Sequence, residues 1–255
     1  MNRTFSLLPA LAALLWLGCA PVLAQDSANE AARRALACGA PEDSVARVLT
    51  AVAKGQATPS EGEAILAPLV RACDAGLPPG LLADKLDEGL AKSVRPEVLR
   101  AALERRLDDL LFARALPNIP DEAAPPAEAL AGLAEALAAG LAREELRGLA
   151  QRHPQASPEQ FSQSARLMAF LARAGLPPED ARTVADAGLE RGGLAPEWLQ
   201  FPRLAASALK RGTPPQTVRE AALETLRDGG GLREAAVRLN LTIRDLGTSP
   251  RSSAK

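Results

Sequence analysis

Apolar side chains recur along most of this chain at intervals of three and four residues. Val45, Val48, Leu49 and Val52 fall on one face at helical spacing, as do Leu82, Leu86 and Leu90. Alanine fills much of the remainder and permits close approach between helices. The pattern predicts a series of amphipathic helices of about 12–16 residues joined by tight turns.

Two punctuation marks divide the series. Gly39, Gly76, Gly140, Gly175 and Gly212 stand in related segments such as Asp74-Ala75-Gly76-Leu77-Pro78-Pro79 and Arg173-Ala174-Gly175-Leu176-Pro177-Pro178, at intervals of 37, 64, 35 and 37 residues. Pro59, Pro96, Pro158 and Pro196 follow the first four glycines by 20, 20, 18 and 21 residues, and Leu232, after Gly229-Gly230-Gly231, holds that place in the fifth repeat. Glycine ends a helix because it enters the left-handed region without a Cβ penalty. Proline opens one because the first helical residue needs no amide hydrogen. Thr58-Pro59-Ser60-Glu61 and Ser157-Pro158-Glu159-Gln160 read as capping boxes. Lys54, Lys92, Arg152, Arg191 and Arg227 fall where the first helix of each repeat should end, complementing the negative helix terminus.

The expected fold class is therefore all-α: helix hairpins of about 35–37 residues stacked as a short α-solenoid or irregular bundle, with nine or ten helices. A single hairpin has too little core to stand alone. The long interval marks an interruption. After a helix expected over Pro96–Leu116, the stretch 117–126 carries Pro117, Pro120, Pro125 and Pro126 and reads as an extended linker. It would separate an N-terminal lobe, 25–116, from a C-terminal lobe, 127–247. The tail 248–255 lacks apolar periodicity and is expected to be disordered.

Residues 1–24 read as a secretory signal peptide. Arg3 precedes an apolar run of 11 residues from Leu7 to Leu17, too short for the roughly 20 residues that span a bilayer. Val22-Leu23-Ala24 places cleavage between Ala24 and Gln25. A lipid anchor on Cys19 is the competing reading, weakened because Trp16-Leu17-Gly18 fits a lipobox poorly; an uncleaved anchor is the other. Cleavage leaves 231 residues with 29 basic and 31 acidic side chains, a net charge of −2. That balance gives no clustered positive charge for nucleic acid or anionic lipid. No second apolar run of membrane length follows, so the mature chain is expected to have no membrane span. Two cysteines remain, Cys38 and Cys73, near equivalent turns of neighbouring repeats. An even pair in an oxidising compartment predicts a disulfide, closing a loop of roughly 35 residues and contributing on the order of 3 kcal/mol.

Candidate chemistry is sparse. Ala and Leu number 53 and 42, aromatics make up 3%, and the chain has one histidine and no tyrosine. Few surfaces are left for stacking bases and few groups for acid–base work. His153, in Gln151-Arg152-His153-Pro154, reads as an exposed turn residue with no orienting acid nearby in sequence. Asp108-Asp109 and Glu144-Glu145 are adjacent and point to different sides of a helix. Gly229-Gly230-Gly231 follows no strand and lacks the Lys-Ser/Thr ending of a P-loop, so it reads as an inter-helix turn. Trp198 and Phe201, three apart, would share a helix face and pack the joint between the third and fourth repeats, or else present an aromatic anchor to a partner. No cofactor and no metal site is expected.

The segment Ala75-Gly76-Leu77-Pro78-Pro79, continued by Asp87-Glu88-Gly89-Leu90-Ala91-Lys92-Ser93-Val94-Arg95-Pro96-Glu97, resembles exported bacterial α-helical repeat proteins of unassigned function. These carry a Gly-Leu-Pro stretch, then "EGLAKGV" followed by "PPE". Here Ser93 stands for the usual Gly and Arg95 for a Pro. The resemblance implies a helical exported protein and no activity. The favoured expectation is a non-enzymatic module in the bacterial envelope that binds a protein or peptide. The alternatives are a carrier of a small apolar ligand or lipid, and an enzyme whose site is not readable from sequence.

Overall fold

A computed structural model describes the backbone of residues 20–120 and 126–242, and side chains from Ser27 onward. The described residues are helical, with no strand. Their elements are α1 (Ala20–Ala37), α2 (Glu42–Ala53), α3 (Pro59–Asp74), α4 (Gly80–Ala91), α5 (Pro96–Arg114), α6 (Ala127–Ala138), α7 (Arg143–Arg152), α8 (Pro158–Arg173), α9 (Pro178–Glu190), a 3₁₀ helix (Pro196–Gln200), α10 (Phe201–Lys210), α11 (Pro215–Arg227) and α12 (Leu232–Arg238). The protein is all-α, and its helices pack against one another.

The punctuation operates as expected. Gly39, Gly76, Gly140, Gly175 and Gly212 all have positive φ, between 68° and 105°. At each, the next amide reaches back to a carbonyl five residues earlier, as in Leu77 N to Ala72 O at 2.8 Å and Leu176 N to Leu171 O at 3.1 Å. This closure turns Leu77, Leu141 and Leu176 inward, where all three are buried. Pro59, Pro96, Pro158 and Pro196 are the first residues of α3, α5, α8 and the 3₁₀ helix. The Thr58 and Ser157 capping boxes form, the first with Glu61 N donating to Thr58 Oγ1 at 3.2 Å and Thr58 N to Glu61 Oε2 at 2.6 Å. The described residues hold two α-helices more than the ten of five hairpins, because Gly39 and Gly140 each also close a helix ahead of them, α1 and α6, which the pairs counted after each glycine leave out.

The chain forms two compact units, Met1–Arg105 and Arg106–Lys255. In the first, α1 lies along α3 while α2 packs on α3 and α4. In the second, α6, α8, α10 and α12 form a row of successive neighbours, and α9 pairs with α11 while bridging to α8. Leu66, Leu69, Leu82 and Leu86 fill the first core, and Leu133, Phe161, Leu171 and Phe201 the second.

The units divide inside α5, not in the proline-rich stretch from which lobes 25–116 and 127–247 were drawn. The second half of α5 buries Leu107, Leu110 and Ala113, and its Asp109 pairs with Arg143 of α7 at 3.1 Å. Residues 117–120 are a turn and not an extended linker: Asn118 and Ile119 are buried, and Asn118 Nδ2 donates to the His153 carbonyl at 2.7 Å. Residues 1–19, 121–125 and the tail 248–255 lie outside the described residues. Ala24 and Gln25 stand within helical backbone of α1, and the signal-peptide reading itself rests on sequence. Among the described residues no helix is long and apolar enough to cross a membrane.

Candidate functional site

Cys38 and Cys73 are joined in a disulfide with a Cα–Cα separation of 5.9 Å. Cys38 sits in the turn after α1 and Cys73 in the last turn of α3, so the bond ties the ends of two parallel-packed neighbours together.

Trp198 and Phe201 are both buried, at 2% and 0% exposure, with ring centroids 5.3 Å apart. They stand on one side of an unbroken helical backbone, with Phe201 N donating to the Trp198 carbonyl. Trp198 belongs to the 3₁₀ helix and Phe201 opens α10, because the hairpin changes helix type ahead of Pro202, which lacks an amide hydrogen. The 3₁₀ helix packs on α8, α10 and α12, so this aromatic pair is core at the joint of successive repeats and presents no exposed anchor.

His153 departs from the expected exposed turn residue. Its side chain is 14% exposed, and Nε2 lies 2.7 Å from Asp186 Oδ1 of α9. Arg152 Nε donates to the same oxygen at 3.1 Å. An orienting acid is therefore present, one that sequence proximity concealed because it arrives from the next repeat. Among the described residues no serine, threonine or cysteine bonds to the imidazole. Of the adjacent acids, Asp109 pairs with Arg143, while Asp108 and Glu144 face solvent. Gly229 to Gly231 forms the turn between α11 and α12, with Gly231 N donating to Glu234 Oε2 at 2.9 Å.

The carboxyl groups held below their ordinary range lie at caps or on an outer surface. Glu61 is lowered by the Thr58 amide and hydroxyl, and Glu234 by backbone amides at its own position and Gly231. Glu88, on α4, is pushed down to about 2 by hydrogen bonds from Lys92 and Lys85. These shifts belong to helix ends and surface pairs, not to a catalytic cluster.

Open clefts recur where successive helices meet. One of about 330 Å³ lies between α1 and α3, with Glu30, Arg34, Arg71 and Asp74 in its walls. One of about 270 Å³ lies beside Gly140 and Met168, and one of about 500 Å³ runs between α9 and α11, bounded by Asp186, Glu190, Arg191 and Arg227. Another, of about 240 Å³ in the first compact unit, is lined mainly by apolar side chains, Val48, Ile65 and Leu99 among them, with Gln56, Ser93 and Arg95 in its wall. Sequence reasoning missed this polar rim. Ser93 and Arg95 flank the turn between α4 and α5, and only the fold brings Gln56 beside them.

No protein-family model matches the chain, and no curated protein or solved structure matches it. The class that fold and clefts define is an all-α helical-hairpin protein with one disulfide.

Proposed function

We propose that this chain is an exported helical-repeat protein that works as a protein- or peptide-interaction module in the bacterial envelope. The observation that carries the reading is the set of open clefts between neighbouring helices within each unit. Stacked hairpins offer a partner several footholds within each unit, whereas a small-molecule carrier needs a pocket that buries most of its ligand. The two clefts with mainly apolar linings, about 270 and 240 Å³, fall below the roughly 300 Å³ at which drug-sized sites begin. The disulfide and the signal-type pattern at residues 1–24 support an oxidising, exported location.

Two measurements test this. N-terminal sequencing of the exported protein should begin at Gln25. The mature chain, immobilised with its disulfide intact, should capture a polypeptide from periplasm that binds again, purified and in defined stoichiometry, by calorimetry. Capture of no polypeptide, or co-purification of a lipid in its place, overturns the proposal.

A further inference from the structure

The cleft in the first compact unit pairs an apolar floor with an exposed polar rim. Ala51, Leu90, Val94 and Pro96 present its accessible apolar surface, over the buried side chains of Val48, Ile65 and Leu99. Arg95 is the one charged residue in its lining, and no acid accompanies it. Among the described residues the Arg95 guanidinium, the Ser93 hydroxyl and the Gln56 amide have no hydrogen-bond or ion-pair partner. Pro96, the first residue of the 19-residue α5, also lines the cleft, which brings the positive end of a long helix to the same mouth.

The rim lies in a turn of particular geometry. Ser93 follows α4 with φ of +51°, in the left-handed region. The matching turns after α2, α9 and α11 use Gly55, Gly192 and Gly229, all at positive φ. That turn sets the exposed Ser93 hydroxyl at the mouth of the cleft, next to Arg95.

We infer that this cleft receives the C-terminal residue of a partner polypeptide: an apolar side chain on the floor, and the free α-carboxylate on Arg95, Ser93 and Gln56. The inference rests on the interaction-module reading and names the partner's chemistry. A chain terminus carries a carboxylate and an apolar side chain on one Cα, which matches a single cation above an apolar floor. The modest volume suits one residue better than a whole small molecule.

The test uses the mature, disulfide-bonded chain and a fluorescein-labelled peptide, Gly-Ser-Ala-Ala-Leu, read by fluorescence anisotropy. The free acid should bind saturably, and its C-terminal amide at least tenfold more weakly. Arg95→Gln should weaken the free acid at least tenfold with an unchanged unfolding midpoint. Ser93→Gly, which cannot be lost to misfolding because it removes strain, should weaken it severalfold. Absent saturable binding, equal binding of acid and amide, or binding of sodium octanoate without the peptide each overturn the assignment. If the peptide fails while the immobilised chain still captures a polypeptide confirmed by calorimetry, only the cleft assignment falls. If both fail, the interaction reading falls with it.

Discussion

His153 Nε2 lies 2.7 Å from Asp186 Oδ1, across 33 residues of sequence. That separation is close to one repeat, and it recurs. Arg143 reaches Asp109 across 34 positions, Arg71 reaches Glu104 across 33, Gln160 reaches the Gly192 carbonyl across 32, and Arg191 reaches the Arg227 carbonyl across 36. Neighbouring repeats are thus bonded at several different points of the hairpin, and these polar contacts add register to a core built largely of interchangeable alanine and leucine.

Asp186→Ala removes the partner of both His153 and Arg152. The Arg152 contact is 41% exposed and worth little by itself. The half-buried imidazole loses its charged acceptor, so the expected cost is about 1–2 kcal/mol. Urea unfolding should show a lower midpoint at unchanged slope. An unaltered midpoint would mean that the joint is held by apolar packing alone.

Glu88 supplies a pH dependence whose sign is fixed. Lys92, four residues on, and Lys85, three residues back, hold its carboxyl at about 2, below the ordinary 4.5. A carboxyl lowered on folding stabilises fully above the unfolded value and loses that contribution as pH falls through the folded one. Glu88→Gln should therefore lie below the parent in urea midpoint at pH 6 and converge with it near pH 2. Because the group is on the surface, 1 M salt should shrink the difference at pH 6.

The elements were legible because their boundaries are chemical. Gly76 and Pro96 act through local backbone geometry, which needs no tertiary context. Gly39 and Gly140 end α1 and α6 in the same way, but a count of two helices after each glycine leaves out the helix before it, and packing on α3 and α8 shows α1 and α6 to be members of the stack. The boundary between units was misplaced because proline density at 117–126 reports on local stiffness, whereas the division follows burial. Leu107 and Leu110 commit half of α5 to the second unit. Asp186 was invisible as a partner of His153 because contact across a hairpin stack depends on stacking register, which residue spacing alone does not supply. The cleft rim was not legible, since only the fold brings Gln56 beside Ser93 and Arg95.

The disulfide closes a loop across 35 positions. In the chain-entropy account its loss costs about 3–4 kcal/mol. Cys38→Ala combined with Cys73→Ala should lower the urea midpoint, and dithiothreitol should shift the parent to the same value without moving the double variant. Thiol alkylation of the unreduced, denatured mature parent should leave its mass unchanged; two labelled thiols would show the bond to be absent.

Gly188 sits where α9 meets the turn leading to the 3₁₀ helix. A methyl there would stand 2.6 Å from Leu194 Cδ2 and 2.7 Å from its Cγ. Leu194 is itself buried, so the branch point of its side chain has little room to yield. Gly188→Ala gains up to about 1 kcal/mol of helix propensity, and overpacking costs roughly 1–3 kcal/mol. The net should be a loss. Combining it with Leu194→Ala should cost less than the sum of the two single changes; strict additivity would show that the methyl finds space elsewhere.

Ser93 offers the sharpest separation of stability from binding. Its amide bonds the Leu90 carbonyl at 3.0 Å and Val94 N the Gly89 carbonyl at 2.9 Å, so the turn is well made despite φ of +51°. A left-handed non-glycine residue costs about 1–2 kcal/mol, and glycine returns part of that through the entropy of its unfolded chain. Ser93→Gly should therefore raise stability by about 0.5–1 kcal/mol, read as a higher thermal midpoint. Ser93→Ala keeps the Cβ and loses the hydroxyl, so it should gain nothing in stability while weakening the peptide as much as Ser93→Gly does. If the alanine variant is stabilised as much as the glycine variant, backbone strain is not what distinguishes this turn. If neither change weakens the peptide, the hydroxyl is not part of the cleft's recognition.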